Sequence, residues 1–302
     1  LPWLADHRVF GTMMVPWAGS LSMVLSAAEV LWGTTLLHVS DLVLPQALIV
    51  PDDEARAVHT RLHPRTPQNG TPIADAQIVS VPAHDPDTTE VAHHLTGTVQ
   101  PATPPAPIDL ATLRERCPTP VPLTNSVVSS GNIVFGPTFH WLTAVWRGDG
   151  EALARLEQPV ALGSTDGYLL HPALSDACFQ LIDHTGLETH ETVLPFAVEN
   201  LTLVAPAHPD TCWWAHIRRT GELRWDLTLF GSDERLLAVF DGFQARLVTA
   251  QHLMAQRSTH SWLYTRDWQP RPLPSASSVN PGRWLLVNGE WRMEDGECQQ
   301  LA

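Results

Sequence analysis

The sequence predicts an α+β fold made of two similar units, each with one apolar helix packed against several strands. The first predicted helix follows Pro16, and its apolar residues recur at the spacing of one helix face: Leu21, Val24, Leu25 and Ala28. The second covers residues 171–185, with Pro172 in its first turn and Gly186 just past its end. Helices with so broad an apolar face need a sheet to cover them, and strand-like runs follow each one.

The predicted strands are short runs, alternating or rich in β-branched residues, that are bounded by Pro, Asp and Gly. In the first half they are Leu36–Leu44, Ala47–Val50, Ala55–His63, Ala74–Val81 and Glu90–Val99. In the second half they are Asn200–Ala205, Trp213–Arg219, Trp225–Phe230 and Leu236–Leu247.

Proline clusters predict where the units end, because proline lacks an N–H donor and resists helix and strand interiors. Seven prolines fall between Pro101 and Pro122. We therefore predict a first unit at 1–100, a linker at 101–123 with one short helix at Leu110–Arg116, and a second unit at 124–250. A second region rich in Pro and Ser, 270–281, places residues 251–302 outside both units.

Composition excludes several classes of protein. The chain has 18 basic and 32 acidic residues, a net charge of −14, without the clustered Lys and Arg that nucleic acids or anionic membranes require. No apolar run reaches the ~20 residues that span a bilayer, and no signal-peptide pattern is present. The four cysteines lie far apart without a CxxC pair, which indicates neither a metal site nor a disulfide framework: Cys117, Cys178, Cys212 and Cys298. We expect a cytoplasmic location and, since the chain begins with Leu1, a piece of a longer protein.

His7 opens a segment that combines a base with a site for a negatively charged oxygen. Gly11 allows close approach of the backbone to a ligand. Pro16 precedes a helix whose first N–H groups and positive dipole suit a carbonyl oxygen that gains charge. Removing a proton α to a thioester requires this combination. The segment alone does not decide, because any one of 15 histidines can be a surface loop residue.

Asp176 is the candidate acid. It stands four residues before Gln180 on the predicted helix, so the Gln180 amide can orient its carboxyl group. Its apolar neighbours disfavour the charged form, and the raised pKa that follows suits proton donation. The alternative, an acid on a solvated helix face, agrees less well with those neighbours. A third segment, Phe135-Gly136-Pro137, by itself indicates only a turn at a strand end.

Together these segments resemble the dehydratase domains of modular polyketide synthases, from about Leu1 to about Leu247. The matching motifs are HxxxGxxxxP at His7, Gly11 and Pro16, YGPxF at 135–139 with Phe in place of Tyr, HPALxDxxxQ at 171–180, and Leu-Pro-Phe at 194–196.

The resemblance implies a double hotdog fold, in which two long helices are each wrapped by an antiparallel sheet. By the same resemblance His7 would take the α-proton, Asp176 would protonate the departing β-hydroxyl, and Gln180 would orient Asp176. The Gly11 N–H and the following helix end would hold the thioester carbonyl. Further substrate contacts are expected at Pro16, Phe135, Gly136 and Pro137. No metal and no organic cofactor are expected.

The resemblance also implies partners. The acyl chain would arrive on the phosphopantetheine arm of an acyl carrier protein, and covalent tethering within one synthase would make strong docking unnecessary. Residues 262–270 resemble the start of a ketoreductase region, with a strand of that region at 282–287. Members of the family are commonly homodimers.

Two departures from the family pattern leave alternatives open. Phe135 lacks the hydroxyl donor of tyrosine, which predicts a rate ~10-fold lower or more if that donor acts in the transition state. Trp17 stands where the family normally has glycine. A dehydratase–cyclase that closes a ring by oxa-Michael addition, a double-bond isomerase, a hotdog thioesterase and a silent spacer remain alternatives. Asp176 is retained, which favours dehydration.

Overall fold

The computed structural model describes residues 1–52, 54–68, 70–83, 91–123, 129–130, 132–207, 212–255, 291–294 and 297–300. The chain divides into two compact units, Leu1–Ser261 and Trp262–Ala302. The ketoreductase-like segments predicted at 262–270 and 282–287 lie outside the described residues. Within the described part of the chain, no helix is both long enough and apolar enough to cross a membrane.

The described residues of the first unit form mainly strands, together with four α-helices. The first half contains β1 (His7–Val9), β2 (Thr12–Met13), α1 (Trp17–Trp32), β3 (Leu37–Val43), β4 (Arg56–Gln68), β5 (Thr71–Pro82) and β6 (Ala92–Pro101). Then come α2 (Leu110–Arg116), β7 (Thr119–Val121), β8 (Ser129–Ser130), β9 (Ile133–Phe135), β10 (Leu142–Arg147) and β11 (Glu151–Glu157). The last are α3 (Pro172–Phe179), β12 (Thr192–Leu203), β13 (Cys212–Gly221), β14 (Arg224–Phe230), β15 (Leu236–Val248) and α4 (Ala250–Ala255). In the second unit, β16 (Trp291–Glu294) and β17 (Glu297–Gln300) form an antiparallel hairpin.

One large antiparallel sheet runs through both halves of the first unit. Its order is β4-β5-β6-β3-β12-β15-β14-β13-β11-β10-β7. Strands β3 and β12 join the halves, in register from Leu37 opposite Leu203 to Val43 opposite Ala197. Helix α1 contacts β3 to β6, and α3 contacts β13 and α1. Each half therefore has its own helix against its own part of a shared sheet.

A small second sheet, β2-β1-β9-β8, crosses between the halves. Strand β1 comes from the start of the chain and β9 from the second half, and they pair with His7 opposite Phe135. Because cross-strand partners lie side by side, this pairing places Phe135, from the middle of the sequence, next to His7 near the N-terminus.

The first helix agrees with its prediction. Leu21, Val24, Leu25 and Ala28 are all fully buried. Helix α1 ends at Gly33, which adopts the left-handed conformation that commonly stops helices. Burying each of the larger apolar side chains contributes roughly 1.5–3 kcal/mol, so packing rather than local propensity maintains this helix.

Several predicted elements differ in the structure. The strand predicted at Asn200–Ala205 belongs to β12, which begins at Thr192, and the strand predicted at Ala55–His63 extends to Gln68. The helix predicted at 171–185 is α-helical only over Pro172–Phe179 and continues as a 3-10 helix over Gln180–His184. The tighter turn, common at helix ends, buries both of the consecutive residues Leu181 and Ile182. The strand predicted at Ala47–Val50 makes only an isolated bridge between Met14 and Ile49. Prolines on both sides of that segment interrupt a regular ladder.

The predicted linker is only partly a connection. Helix α2 has the predicted bounds, Leu110–Arg116, and packs Leu110 and Leu113 against Leu153 and Phe230. Strand β7, also inside the predicted linker, pairs with β10. The domain boundaries at 100, 123 and 250 stay a prediction. Strands β10 and β11 were not predicted: β11 is the run EALARLE, whose residues favour helices, and its place between β10 and β13 overrides that preference.

Candidate active site

His7 is held in one orientation by the hairpin that follows it. The residue is 4% exposed, and its Nδ1 lies 2.8 Å from the carbonyl oxygen of Met14. Because a carbonyl oxygen can only accept, Nδ1 must carry the hydrogen. In the neutral ring, Nε2 is therefore the unprotonated nitrogen, available as a base.

Asp176 faces that nitrogen from α3. Its Oδ1 lies 3.9 Å from His7 Nε2, and the residue is 5% exposed. Burial raises the pKa of the Asp176 carboxyl, and this effect outweighs the lowering by His7 and by the hydrogen bond from Gln180. The expected meeting of these two side chains in one cavity is therefore present in the structure. This distance is longer than a hydrogen bond, so the two side chains are not bonded to each other and both remain available to a substrate.

Gln180 lies beside the acid, as predicted. Its Nε2 donates to Asp176 Oδ2 over 3.4 Å and to the Phe139 carbonyl over 3.5 Å. Both bonds are long, and the Gln180 Oε1 has no partner among the described residues. The amide can therefore restrict how the carboxyl group rotates without binding it tightly.

His7 and Asp176 open into a cavity of about 140 Å³ with mostly apolar walls. Its apolar lining includes Met14, Trp17, Ile133, Phe135, Phe179 and Leu194. Arg246, an exposed residue, also lines it, with its guanidinium 3.0 Å from the centre of the Phe196 ring. The apolar walls thus suit an acyl chain, and Arg246 places a positive charge at one exposed edge of the cavity.

The two residues that depart from the family pattern both line this cavity. Phe135 is the cross-strand partner of His7, and their rings lie 5.7 Å apart. Trp17 is buried, with edge contacts to Phe179 at 5.6 Å and Phe243 at 6.0 Å. The Trp17 Nε1 has no hydrogen-bond partner among the described residues. Trp17 adds an aromatic ring to the cavity wall, and Phe135 keeps the aromatic ring of the family's tyrosine without its hydroxyl.

Four predicted substrate-contact residues do not line the cavity: Gly11, Pro16, Gly136 and Pro137. Gly11 is exposed in the two-residue turn of the β1–β2 hairpin, where Phe10 has φ +49° and Gly11 φ +77°. Such turns require positive φ at both positions. This backbone requirement is enough to explain the glycine, and no contact with a ligand is needed to account for it. Pro16 is the N-cap of α1. The positions of Gly11 and Pro16 thus have structural explanations. Direct contact of any of the four residues with substrate stays a prediction.

Asp6 explains the Gly-Pro motif, although no sequence pattern predicted its role. The Asp6 carboxylate accepts hydrogen bonds from the Thr138 N–H at 3.0 Å and from its hydroxyl at 2.8 Å. Gly136 donates its N–H to the Asp6 carbonyl, and a Cβ at Gly136 would collide with the Asp6 side chain. The turn that follows places the Phe139 ring 5.4 Å from His7. The position of Asp6 next to His7 was the only signal in the sequence.

A second polar cluster lies outside the cavity, where ligand atoms of Cys117, Glu151 and His216 are within 4.8 Å of one another. The Glu151 carboxylate already accepts from His216 Nε2 at 2.6 Å and from Arg116 Nη2 at 2.7 Å. Burial raises the pKa of the Cys117 thiol to about 11, which disfavours the thiolate that binds metals. The cluster is an ion-pair network that attaches the end of α2 to β11 and β13.

Comparisons with known proteins agree with this geometry. A family model described as polyketide synthase dehydratase N-terminal domain matches residues 105–255, and one described as polyketide synthase dehydratase domain matches residues 1–76. Polyketide synthase GfsE of Streptomyces halstedii is 28% identical over 95% of this chain and 8% of its own length. Phthioceranic/hydroxyphthioceranic acid synthase of Mycobacterium tuberculosis is 26% identical over 95% of this chain and 14% of its own. The chain therefore spans only a small part of these curated relatives.

Solved structures show the same architecture. The dehydratase domain from the CurJ module of curacin polyketide synthase is 29% identical, covering 83% of this chain and 90% of its own, with a TM-score of 0.71. An inactive CurJ dehydratase mutant with Phe in place of a His is 28% identical, covering 84% and 89%, with a TM-score of 0.73. The double hotdog prediction is confirmed, although the second helix is shorter than expected. By its family matches, its relatives and its fold, the chain belongs to the dehydratase domains of modular polyketide synthases.

Proposed function

We propose that this domain removes water from a β-hydroxyacyl thioester on an acyl carrier protein and leaves an α,β-unsaturated thioester. The observation that carries the proposal is the approach of His7 Nε2 to Asp176 Oδ1, 3.9 Å apart in an apolar cavity. A base and a protonated acid on one small volume are what a β-elimination requires. The inactive CurJ mutant, which has Phe in place of a His, supports a need for histidine in this kind of dehydratase.

The elimination follows from the protonation states. His7 Nε2 takes the α-proton, and the electron pair of that C–H bond forms the new carbon–carbon double bond. The β-carbon–oxygen bond breaks, and Asp176 gives its proton to the departing hydroxyl, which leaves as water. His7 is then an imidazolium and Asp176 a carboxylate, adjacent to each other, so one proton transfer between them restores both groups.

Negative charge that develops on the thioester oxygen needs donors. Helix α1 begins at Trp17, which lines the cavity, and its N-cap Pro16 supplies no side-chain hydrogen bond. The first N–H groups of a helix lack intrahelical partners and carry a partial positive charge. This helix end is therefore better placed as the oxyanion site than the exposed Gly11 turn.

The partners belong to the same proposal. The exposed Arg246 guanidinium at the edge of the cavity suits the phosphodiester of a phosphopantetheine arm. We therefore propose an acyl carrier protein and neighbouring synthase domains, including a ketoreductase, as partners, with a homodimer as the working form in the cytoplasm. The reaction uses the two side chains and requires neither a metal nor an organic cofactor.

The direct test is intact-mass spectrometry of a carrier protein loaded with a β-hydroxyacyl group. We expect the mass of one water to disappear with the wild-type domain, and no change with His7→Ala or Asp176→Asn. The matched controls are His59→Ala and Asp149→Asn, which alter exposed residues away from the cavity. An unreactive wild-type domain contradicts the proposal and favours a spacer.

The same assay separates the remaining alternatives by product. Free acid instead of enoyl thioester identifies a thioesterase. A substrate with a distal hydroxyl that gives a cyclic ether identifies a dehydratase–cyclase, and comparison with enoyl standards identifies a shifted double bond.

A further inference from the structure

His171 begins the helix that carries the candidate acid. It is the N-cap of α3, and its Nδ1 accepts a hydrogen bond from the Ala173 N–H at 3.1 Å. Its backbone carbonyl accepts from the N–H groups of Leu174 and Ser175, both at 3.1 Å. The side chain and main chain of one residue thus satisfy several of the N–H groups that a helix start leaves free.

The role requires a neutral ring. Because Nδ1 accepts, the hydrogen must be on Nε2, and protonation of Nδ1 would destroy the cap. His171 is 3% exposed, and burial lowers its pKa to about 4. Three aromatic rings surround it, with centroid distances of 4.6 Å to Tyr168, 5.7 Å to Trp3 and 6.2 Å to Trp141. The ring therefore stays neutral over the range in which enzymes normally work.

The position of Asp176 depends on this cap. Helix α3 has only eight residues, so a change at its start moves or unwinds the turn that holds Asp176. His171 does not line the catalytic cavity. Trp3, which contacts the His171 ring, is in the 3-10 helix Pro2–Asp6 that directly precedes His7. His171 thus contacts both the segment of the base and the helix of the acid.

We propose that His171 is a positioning residue, whose Nδ1 cap fixes the start of α3 and so the distance from Asp176 to His7. The inference rests on the proposed dehydratase function, because it gives His171 a part in the same site. His171 makes no contact with substrate and acts entirely through Asp176. Small misplacements of a catalytic group have large effects on rate, so loss of the cap should reduce kcat rather than binding.

Two substitutions separate the cap from the packing of the ring. His171→Asn keeps an N-cap acceptor but loses the buried ring, whereas His171→Phe keeps a ring and loses the acceptor. We expect His171→Asn to lower Tm but leave kcat within about 3-fold of wild type. We expect His171→Phe to lower kcat about 10-fold or more with little change in KM. If His171 only supported the core, kcat would instead be lost in parallel with Tm.

The pH profile gives a second readout. Asp176 must be protonated to act, so its titration sets the alkaline limb of kcat, with His7 and Gln180 as the polar groups that face it. A frayed helix start in His171→Phe admits water and lowers the raised pKa of Asp176, so the limb should move to lower pH. The alkaline limb should not move in His171→Asn or in the control Tyr168→Phe. The control keeps the cap and removes only the hydroxyl that accepts a hydrogen bond from Trp3 Nε1.

Wild-type kcat and an unshifted limb in His171→Phe would overturn the inference while the proposed function stands. An inactive wild-type domain would instead overturn the proposed function. In that case, long-range nitrogen NMR of the histidine rings still tests the cap. A neutral His171 ring with its hydrogen on Nε2 at pH 6 supports it, and a ring that titrates near its usual pKa contradicts it.

Discussion

The two halves of the domain use their helices differently. In the first half α1 has sixteen residues and a fully buried apolar face, and the candidate base lies outside it, on β1. In the second half α3 has eight residues and itself carries the candidate acid, Asp176. One helix is thus mainly core, with only its first turn at the cavity, while the other is part of the catalytic machinery. Related units can therefore divide stability and chemistry unequally.

The largest expected effect is at the acid of the second half. Asp176→Asn should lower kcat roughly 10²–10⁴-fold, since proton donation by a positioned acid is lost. The same change should raise stability at neutral pH. Because burial raises the pKa of the folded-state carboxyl, its contribution to stability is present below the unfolded-state pKa and is lost as pH rises through the folded-state pKa.

Chemical denaturation at pH 4 and pH 7 measures this difference, with Asp149→Asn as the control. A mutant that is as active as wild type, or equally destabilised at both pH values, would contradict the catalytic assignment of α3.

The counterpart in the first half is Leu25→Ala on α1. Leu25 is fully buried, so its truncation should cost about 2–5 kcal/mol of unfolding free energy. The folded fraction should retain its kcat, because this face of α1 only packs. Denaturant melts and active-site titration check both parts, with the exposed Val30→Ala as control. A fall in kcat of the folded protein would break the proposed division between the two helices.

The contact between the halves gives an intermediate effect. Asp6→Ala removes the carboxylate that accepts from Thr138, and the Phe139 ring against His7 should lose its fixed position. We expect kcat to fall about 10-fold, with much of it restored in Asp6→Asn, which keeps an acceptor. Steady-state kinetics test this beside Asp52→Ala, an exposed acid that pairs with Arg8 on the same strand as His7. Equal losses in both variants would refute the positioning role.

The smallest effect is expected at the cavity wall. Trp17→Gly introduces the residue that the family normally has and should enlarge the cavity beside Phe179 and Phe243. We expect kcat/KM to rise a few-fold for bulkier acyl chains relative to short ones, within the range that pocket shape usually gives. Competition between two chain lengths measures the ratio, and Trp17→Phe is the matched control. An unchanged ratio would show that Trp17 does not limit the acyl group.

Local patterns predicted the regular elements well where the signal is repetitive. The apolar spacing of α1 and the bounds of α2 agree with the structure, and β13 to β15 fall within two residues of their predicted ends. The candidate active site could be predicted less completely from the sequence. His7, Asp176 and Gln180 could be named from their motifs, but the motif glycine Gly11 has a turn conformation instead of a cavity position.

The failures have a common physical basis. The run that forms β11 favours a helix locally, and only pairing with β10 and β13 makes it a strand. Asp6 is inconspicuous in the sequence, and its importance comes from Thr138, a residue 132 positions away. Such interactions depend on which distant segments meet, and no short window of sequence contains that information.

The amino-acid sequence alone determined the helix that forms the first core, the polarity of the chain and the identity of the two candidate catalytic side chains. The helix and the polarity follow from residue chemistry and from spacings of three or four residues, which act within one element. The two side chains were named through the resemblance of their motifs to a known family. Folding in three dimensions decided that β3 and β12 join the two halves in one large sheet. It also decided the 3.9 Å approach of His7 to Asp176 and the histidine cap on α3. Those depend on burial and on contacts between distant segments, which exist only once the two halves have packed.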